Sequence, residues 1–387
     1  MSATRIAGEL QRAGVTVRAV GRPLAAPQVV TYAVEPSPAT MRQALRQGAR
    51  LQAALRTVDP PRIVQRGRWL LVEVPRAERR AVPLSAMRAS GLAVDIGIAA
   101  TGRRVTLDLS RTPHALVAGQ TGSGKSVALR AIARGLALAP DAIELVLVDL
   151  DGDTWAPLAQ AAALRHAIAD DPLAARRALQ SARDAMGDSV RNRLIVCMVD
   201  EAQMLDEPAR EAVRDIAQRG RKAGVHLVLA TQYVRGDVLD RRLSDQLGAR
   251  IVGRMQDAAA GRWAGSADAH TLTGAGDMIA NVAGVETRVQ VAYAAPDAAV
   301  WSAVPKADPR PAPEPDDDGL EIPHDALVWC AARQAIDGRL PGINRLADRF
   351  GVGKTKATRW QAEAIEELSH RPAPAPGGRV LPFRRAG

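Results

Sequence analysis

Cysteine is nearly absent. Two residues, Cys197 and Cys330, in a chain of 387 cannot build a disulfide framework or a structural zinc site. Six histidines are scattered and form no metal-ligand pattern. No apolar run approaches the roughly 18 residues that a membrane span needs; the longest, 142–149 and 194–199, suit buried strands. The N-terminal MSATRIAGELQRAG has no uninterrupted apolar core before a small-residue cleavage site, so a secretory leader is not expected. Together these absences describe a soluble, cytoplasmic chain that inserts nothing of its own into a membrane and leaves a membrane partner open. Lysine is scarce too, at five residues (125, 222, 306, 354 and 356) of 52 basic ones.

What remains is an ordinary globular mix. Hydrophobic residues make up 47% and charged residues 24%, which excludes a mostly disordered chain. The length suits two or three domains. The net charge of +10 is segregated: residues 1–100 carry +9, residues 321–387 carry +4, and the stretch between carries −3. A near-neutral body with basic ends fits a polyanion binder built around a separate working core, although an arginine-rich composition alone supplies part of it.

The pattern predicts a small α+β domain over 1–100, with strands at 28–34 and 69–74 and a helix over 39–56. From 101 to 303, apolar runs (115–118, 143–149, 194–199, 226–230, 250–252) alternate with helical stretches (126–138, 173–186, 208–222, 238–246). Continuous apolar strands separated by helices predict βαβ units around a parallel sheet covered on both faces. Residues 304–323 are rich in proline and acid and read as a linker. Residues 324–369 read as a helical module and 370–387 as a disordered basic tail.

Chemistry enters at Gly119-Gln120-Thr121-Gly122-Ser123-Gly124-Lys125-Ser126. This G-x-x-x-x-G-K-[ST] loop follows the strand HALVA and opens a helix at Val127. Its glycines let backbone N–H groups turn inward around phosphates, and the helix N-terminus adds partial positive charge. Lys125 then reaches the β- and γ-phosphates of ATP, and Ser126 ligates Mg²⁺. A second Gly353-Lys354-Thr355 is a decoy, because Asp348 stands where the first loop glycine belongs and no strand precedes it. After the strand 194–199 come Asp200, suited to hold Mg²⁺, and Glu201, suited to polarise the attacking water. Gln232, at the tip of the next strand, is positioned to sense the γ-phosphate. Asp149 to Asp153 have an acidic spacing reminiscent of a calcium loop, but its sixth and twelfth positions are Thr154 and Gln160, which rejects it. Cys197, inside a strand, reads as a small core residue.

HALVAGQTGSGKSVALR, VDEAQML, RKAGVHLVLATQ and TGAGDM stand in an order and at spacings that resemble the FtsK/SpoIIIE family of DNA-translocating ATPases, over roughly residues 25–295. The resemblance implies a RecA-like P-loop core preceded by a small domain. It also implies a ring, a hexamer, that threads double-stranded DNA through a central channel, with an arginine from a neighbour at the γ-phosphate; by position in the family pattern Arg250 or Arg262 would serve. The chain departs from the family in carrying no membrane-spanning helices, in its short stretch between 151 and 193, and in Tyr-Val-Arg after Gln232 where Arg-Pro-Ser is usual. Compact versions of this kind occur on plasmids, integrative elements and phages.

Residues 341–361 read as a winged-helix-like helix–turn–helix, with Gly351 at the turn and Lys354, Lys356, Thr358 and Arg359 offered to DNA. Two rival readings remain at this stage: a HerA-like conjugative or packaging ATPase with other cargo, and a nucleotide-switched helix–turn–helix regulator.

Overall fold

The computed structural model describes residues 2–187, 192–233 and 240–307, together with positions 330, 346, 350, 360, 361 and 364. Two units are distinguished, Met1–Asp170 with Ala174–Arg310, and Asp171–Leu173 with Pro311–Gly387.

The first unit holds two sheets. The smaller is antiparallel, in the order Val17–Ala25, Val29–Pro36, Trp69–Pro75, Arg62–Arg66. Leu70, Val72 and Val74 point to one face, as the two-residue strand period requires, and meet Ile6 and Leu10 of the helix Ala3–Arg12. The single helix expected over 39–56 is two, Met41–Leu45 and Gly48–Leu55. Gly48 opens the second of them where an added Cβ would come within 3.1 Å of Pro61 O.

The larger sheet has eleven strands. Its five parallel strands run Ile143–Asp149, Leu194–Asp200, Val225–Thr231, His114–Ala118, Ala249–Val252. Antiparallel Asp277–Val282, Val285–Tyr293 and Ala93–Ala99 extend it. Its mixed α/β layout fits a RecA-like core. The parallel strands are buried at nearly every position, which is why they read as unbroken apolar runs. Leu129, Ile132 and Leu136 of the helix Lys125–Ala137 cover one face. Helices Pro172–Asp184 and Glu207–Arg219 supply Leu179, Val213 and Ile216 to the other. Cys197 is fully buried there, as expected.

The sequence pattern starts this sheet at 101, but Val82–Pro83 and Ala93–Ala99 already belong to it, and residue 101 falls inside the hairpin joining Ala93–Ala99 to Arg104–Asp108. These strands are short or mix charged with apolar residues, so they lack the uninterrupted signal of the parallel ones. The stretch read as a linker from 304 begins with packed residues: Val304 is buried, and Ala162 N and Ala307 N donate to Pro305 O and Gln160 O.

A buried ionic cluster joins the two sheets. Arg288 donates to both carboxylate oxygens of Asp277, at 2.8 and 2.7 Å, and lies 3.7 Å from Glu73 of the small sheet. Arg62 of the small sheet binds Asp268 at 2.9 Å and also pairs with Glu286. Burial drives the Glu73 carboxyl above its usual pKa, against the pull of Arg62 and Arg288. Helical positions Leu346, Trp360 and Ala364 of the second unit are buried, and the rings of Phe350 and Trp360 meet edge to face at 6.2 Å. Residues 354–359 lie outside the described residues, as do 308–323 of the expected linker and the tail 370–387. Among the described residues no helix is long and apolar enough to cross a membrane.

Removing one member of a buried pair leaves its partner's charge uncompensated, at a cost of about 3–5 kcal/mol. Arg288→Ala is expected to lose that much in chemical denaturation. Glu73 holds its proton more firmly folded than unfolded, so its contribution to stability falls as pH rises through the carboxylate range and above it. Glu73→Gln should flatten that part of the stability–pH curve without loss at pH 7.

Candidate nucleotide site

The glycine-rich loop leaves the carboxyl end of the strand His114–Ala118 and is clamped from two sides. Gln120 N donates to Arg254 O at 2.9 Å, just past the neighbouring strand. On the other side the Gly274-Ala275-Gly276 turn donates Ala275 N to Gly122 O and Gly276 N to Ser123 O, both at 2.9 Å. The approach is close: a Cβ on Gly124, whose φ is +103°, would lie 2.6 Å from Gly276 N. Only glycine fits there.

Below the loop the parallel register brings strand ends level, with Asp149 beside Asp200 and Ala118 beside Thr231. The chemistry-bearing side chains converge at these ends. Lys125 Nζ donates to Glu201 Oε1 at 2.6 Å, with both side chains buried. Gln232 Nε2 donates to the same oxygen at 2.6 Å, while its Oε1 accepts from Thr121 Oγ1 at 3.1 Å. Gln203 Nε2 donates to the other oxygen of Glu201, and Thr231 Oγ1 holds Gln203 Oε1 at 2.7 Å. Burial alone would raise the Glu201 pKa, yet these donors and the Lys125 charge hold it below the usual carboxylate value. Glu201 also sits at φ +51°, ψ +57°, a left-handed conformation that costs a non-glycine residue about 1–3 kcal/mol and clusters at functional sites.

Asp200 Oδ2 accepts from Ser126 Oγ at 3.3 Å and Thr154 Oγ1 at 2.8 Å. Two hard oxygens facing one point beside a phosphate loop suit Mg²⁺, which takes one or two protein ligands and completes its shell with phosphate and water. The cleft above these groups encloses about 590 Å³ and is lined also by residues 79–82, Val127, Ala275, Gln290, Val291 and Tyr293.

Lys125, Ser126, Asp200, Glu201 and Gln232 are thus brought together, while the two arginines read from the sequence do not line the cleft. Arg250 is level with Leu116, two residues short of the strand end, and its guanidinium donates to Ser244 O at 2.8 Å and Trp263 O at 3.1 Å. It ties down the ends of helices Arg241–Gln246 and Ala258–Ala264. Arg262 is exposed on the second of these. Lys354, Lys356, Thr358 and Arg359 lie outside the described residues. Thr154 and Gln203 went unread: Thr154 acts through Asp200, distant in sequence, while Gln203 stands two residues after Glu201, which was the one available signal.

Residues 77–196 match the FtsK/SpoIIIE family. Over that stretch the chain is similar to the family. It is 30% identical over 252 residues to DNA translocase FtsK of Lactococcus lactis subsp. cremoris, covering 54% of this chain and 33% of that protein. With DNA translocase SftA of Bacillus subtilis it shares 27% identity over 261 residues, 57% of this chain and 27% of the relative. The chain spans about a third of the length of such relatives. In fold it is similar to the pCW3 conjugation coupling protein TcpA in its monomer form with ATPγS, with a TM-score of 0.50 and 18% identity, covering 75% of this chain and 94% of that one. The fold is that of a P-loop ATPase.

Gln203 is a positioning residue for Glu201. Gln203→Ala should lower kcat for ATP about tenfold with little change in KM, and shift the acid limb of the pH–rate profile upward, because a lost donor raises the carboxylate pKa. Steady-state kinetics between pH 5 and 8 would check both.

Proposed function

We propose that this chain belongs to the FtsK/SpoIIIE family and is an ATP-hydrolysing motor that moves double-stranded DNA, working as a ring of identical copies in the cytoplasm. The observation that carries the proposal is the convergence of Lys125, Ser126, Asp200, Glu201 and Gln232 on one cleft under the phosphate loop. A nucleotide core used only as a binding switch has no need of a carboxylate held ionised by three donors.

In this reading the triphosphate of ATP lies along the loop amides and draws Lys125 away from Glu201. Ser126 and Asp200 would hold Mg²⁺, which offsets charge on the phosphates. Glu201, released from the lysine, accepts a hydrogen bond and then the proton from the water that attacks the γ-phosphate, and Gln232 couples Glu201 to Thr121 of the loop, so that loss of the γ-phosphate alters a contact to the strand end. Among the described residues the arginines that line the cleft are Arg79 and Arg80, and a further arginine from a neighbour at the γ-phosphate would be worth about 10³–10⁵ in rate. Arg262, exposed on its helix, fits that role better than Arg250, whose hydrogen bonds hold two helix ends. A hexamer with DNA in its channel follows the family resemblance. So does DNA recognition by residues 324–369 through Lys354, Lys356, Thr358 and Arg359, and service in plasmid or mobile-element transfer, phage DNA handling or chromosome segregation.

ATP hydrolysis measured with and without long duplex DNA tests the proposal. Stimulation of tenfold or more, lost in Lys125→Ala and strongly reduced in Arg262→Ala, is the expected result. Turnover indifferent to DNA, or intact in Lys125→Ala, would refute it.

A further inference from the structure

The helical layer on the small sheet carries charge of one sign. Between residues 36 and 58 the chain has four arginines, Arg42, Arg46, Arg50 and Arg56, and neither Asp nor Glu. All four are exposed, on or just after the helices Met41–Leu45 and Gly48–Leu55, while Ala44, Leu51 and Leu55 turn the other way into the core. Arg18 and Arg68, on a strand and a turn of the same sheet, share Glu35. By contrast, among the described residues none of the four has an acidic partner; Arg50 donates to Arg12 O at 2.9 Å. Arg42, Arg46 and Arg50 follow one another at four-residue spacing, so like charges repel from turn to turn along the layer. A surface of mixed sign would avoid that repulsion, and a bound polyanion relieves it.

We infer that this layer is a docking face for the sugar–phosphate backbone of duplex DNA, separate from the nucleotide cleft and indifferent to base sequence. The inference rests on duplex DNA as the cargo proposed above. At the α-helical rise, Arg42 to Arg50 covers about 12 Å. Duplex DNA carries a negative charge per about 1.7 Å of its axis, so several phosphates face the row at once. Reading bases needs donors and acceptors aimed at base edges. Here the amide donors are engaged within the chain: Gln43 Nε2 on Ala13 O at 2.8 Å, Gln47 Nε2 on Gln43 O at 3.1 Å and Gln52 Nε2 on Val58 O at 2.8 Å. Guanidinium charge is what reaches outward, and charge alone holds a backbone without fixing its register, which lets a duplex slide. The face is poorly suited to a lipid surface, where aromatic and leucine side chains insert. It has no aromatic residue, and its exposed large apolar side chains are Leu45 and Val58, the second followed by Asp59.

Fluorescence anisotropy of the full chain with a labelled duplex, titrated at several salt concentrations, measures these contacts. Each phosphate neutralised contributes about 0.9 to the slope of log K against log [salt]. Combining Arg42→Gln, Arg46→Gln and Arg50→Gln should therefore lower the slope by about 2.7 and weaken duplexes of every sequence alike. Arg42→Lys, Arg46→Lys and Arg50→Lys together keep the charge and should keep the slope, which separates a phosphate contact from a structural role. An unchanged slope in the glutamine variant, an equal loss in the lysine variant, or a loss confined to one sequence overturns the face and leaves the motor standing. So does a glutamine variant that releases vesicles of phosphatidylserine and phosphatidylcholine yet holds DNA as before, which assigns the face to a membrane. If the unsubstituted chain binds no duplex at all, the proposed cargo is wrong and the face falls with it.

Discussion

One buried ammonium organises this molecule. Lys125 opens the helix behind the phosphate loop, and its charge is answered by Glu201 at 2.6 Å. Neither group can be left alone at that depth, because removing either partner of a buried pair strands a charge out of water. In the function proposed above the pair would serve as a placeholder, with the carboxylate suited to activate water engaged until an anion with a stronger claim reaches the lysine. The left-handed backbone at Glu201 and the donors Gln203 and Gln232 keep that carboxylate ionised and in place.

The placeholder depends on the sheet, and the sheet links it to the rest of the fold. Parallel pairing brings Ala118, Thr231 and Val252 level at one edge, so three loops meet where the phosphates are expected. Behind the loop, the Gly274-Ala275-Gly276 turn presses on Gly122 and Ser123 and then runs into Asp277, whose carboxylate is gripped by Arg288. Arg288 faces Glu73, and Gln28 also reaches Asp277, so the small sheet contacts the same aspartate. A continuous chain of hydrogen bonds and ion pairs therefore runs from phosphate loop to small sheet.

The parallel strands were legible in the sequence because burial on both faces leaves only apolar residues, and the loop because phosphate binding demands glycine, lysine and hydroxyl at fixed spacing. Asp200, Glu201 and Gln232 were legible because strand ends in such a sheet face the loop. Strand Arg104–Asp108 was not, since its charges and its apolar residues cancel as a signal. Nor was the pairing of Val82 with Ala292, which depends on residues some two hundred positions apart. Thr154 acts through a partner brought near only by folding, and Arg250 resembles a catalytic arginine until its hydrogen bonds are seen to be spent on helix ends.

The most direct test of the placeholder is the affinity of Glu201→Gln for ATP, measured by calorimetry beside its turnover. Neutralising Glu201 frees Lys125 and removes a negative charge from beside the triphosphate, so ATP should bind several-fold tighter while hydrolysis falls about a hundredfold or more. Weaker binding in Glu201→Gln, or turnover that survives it, would contradict the account.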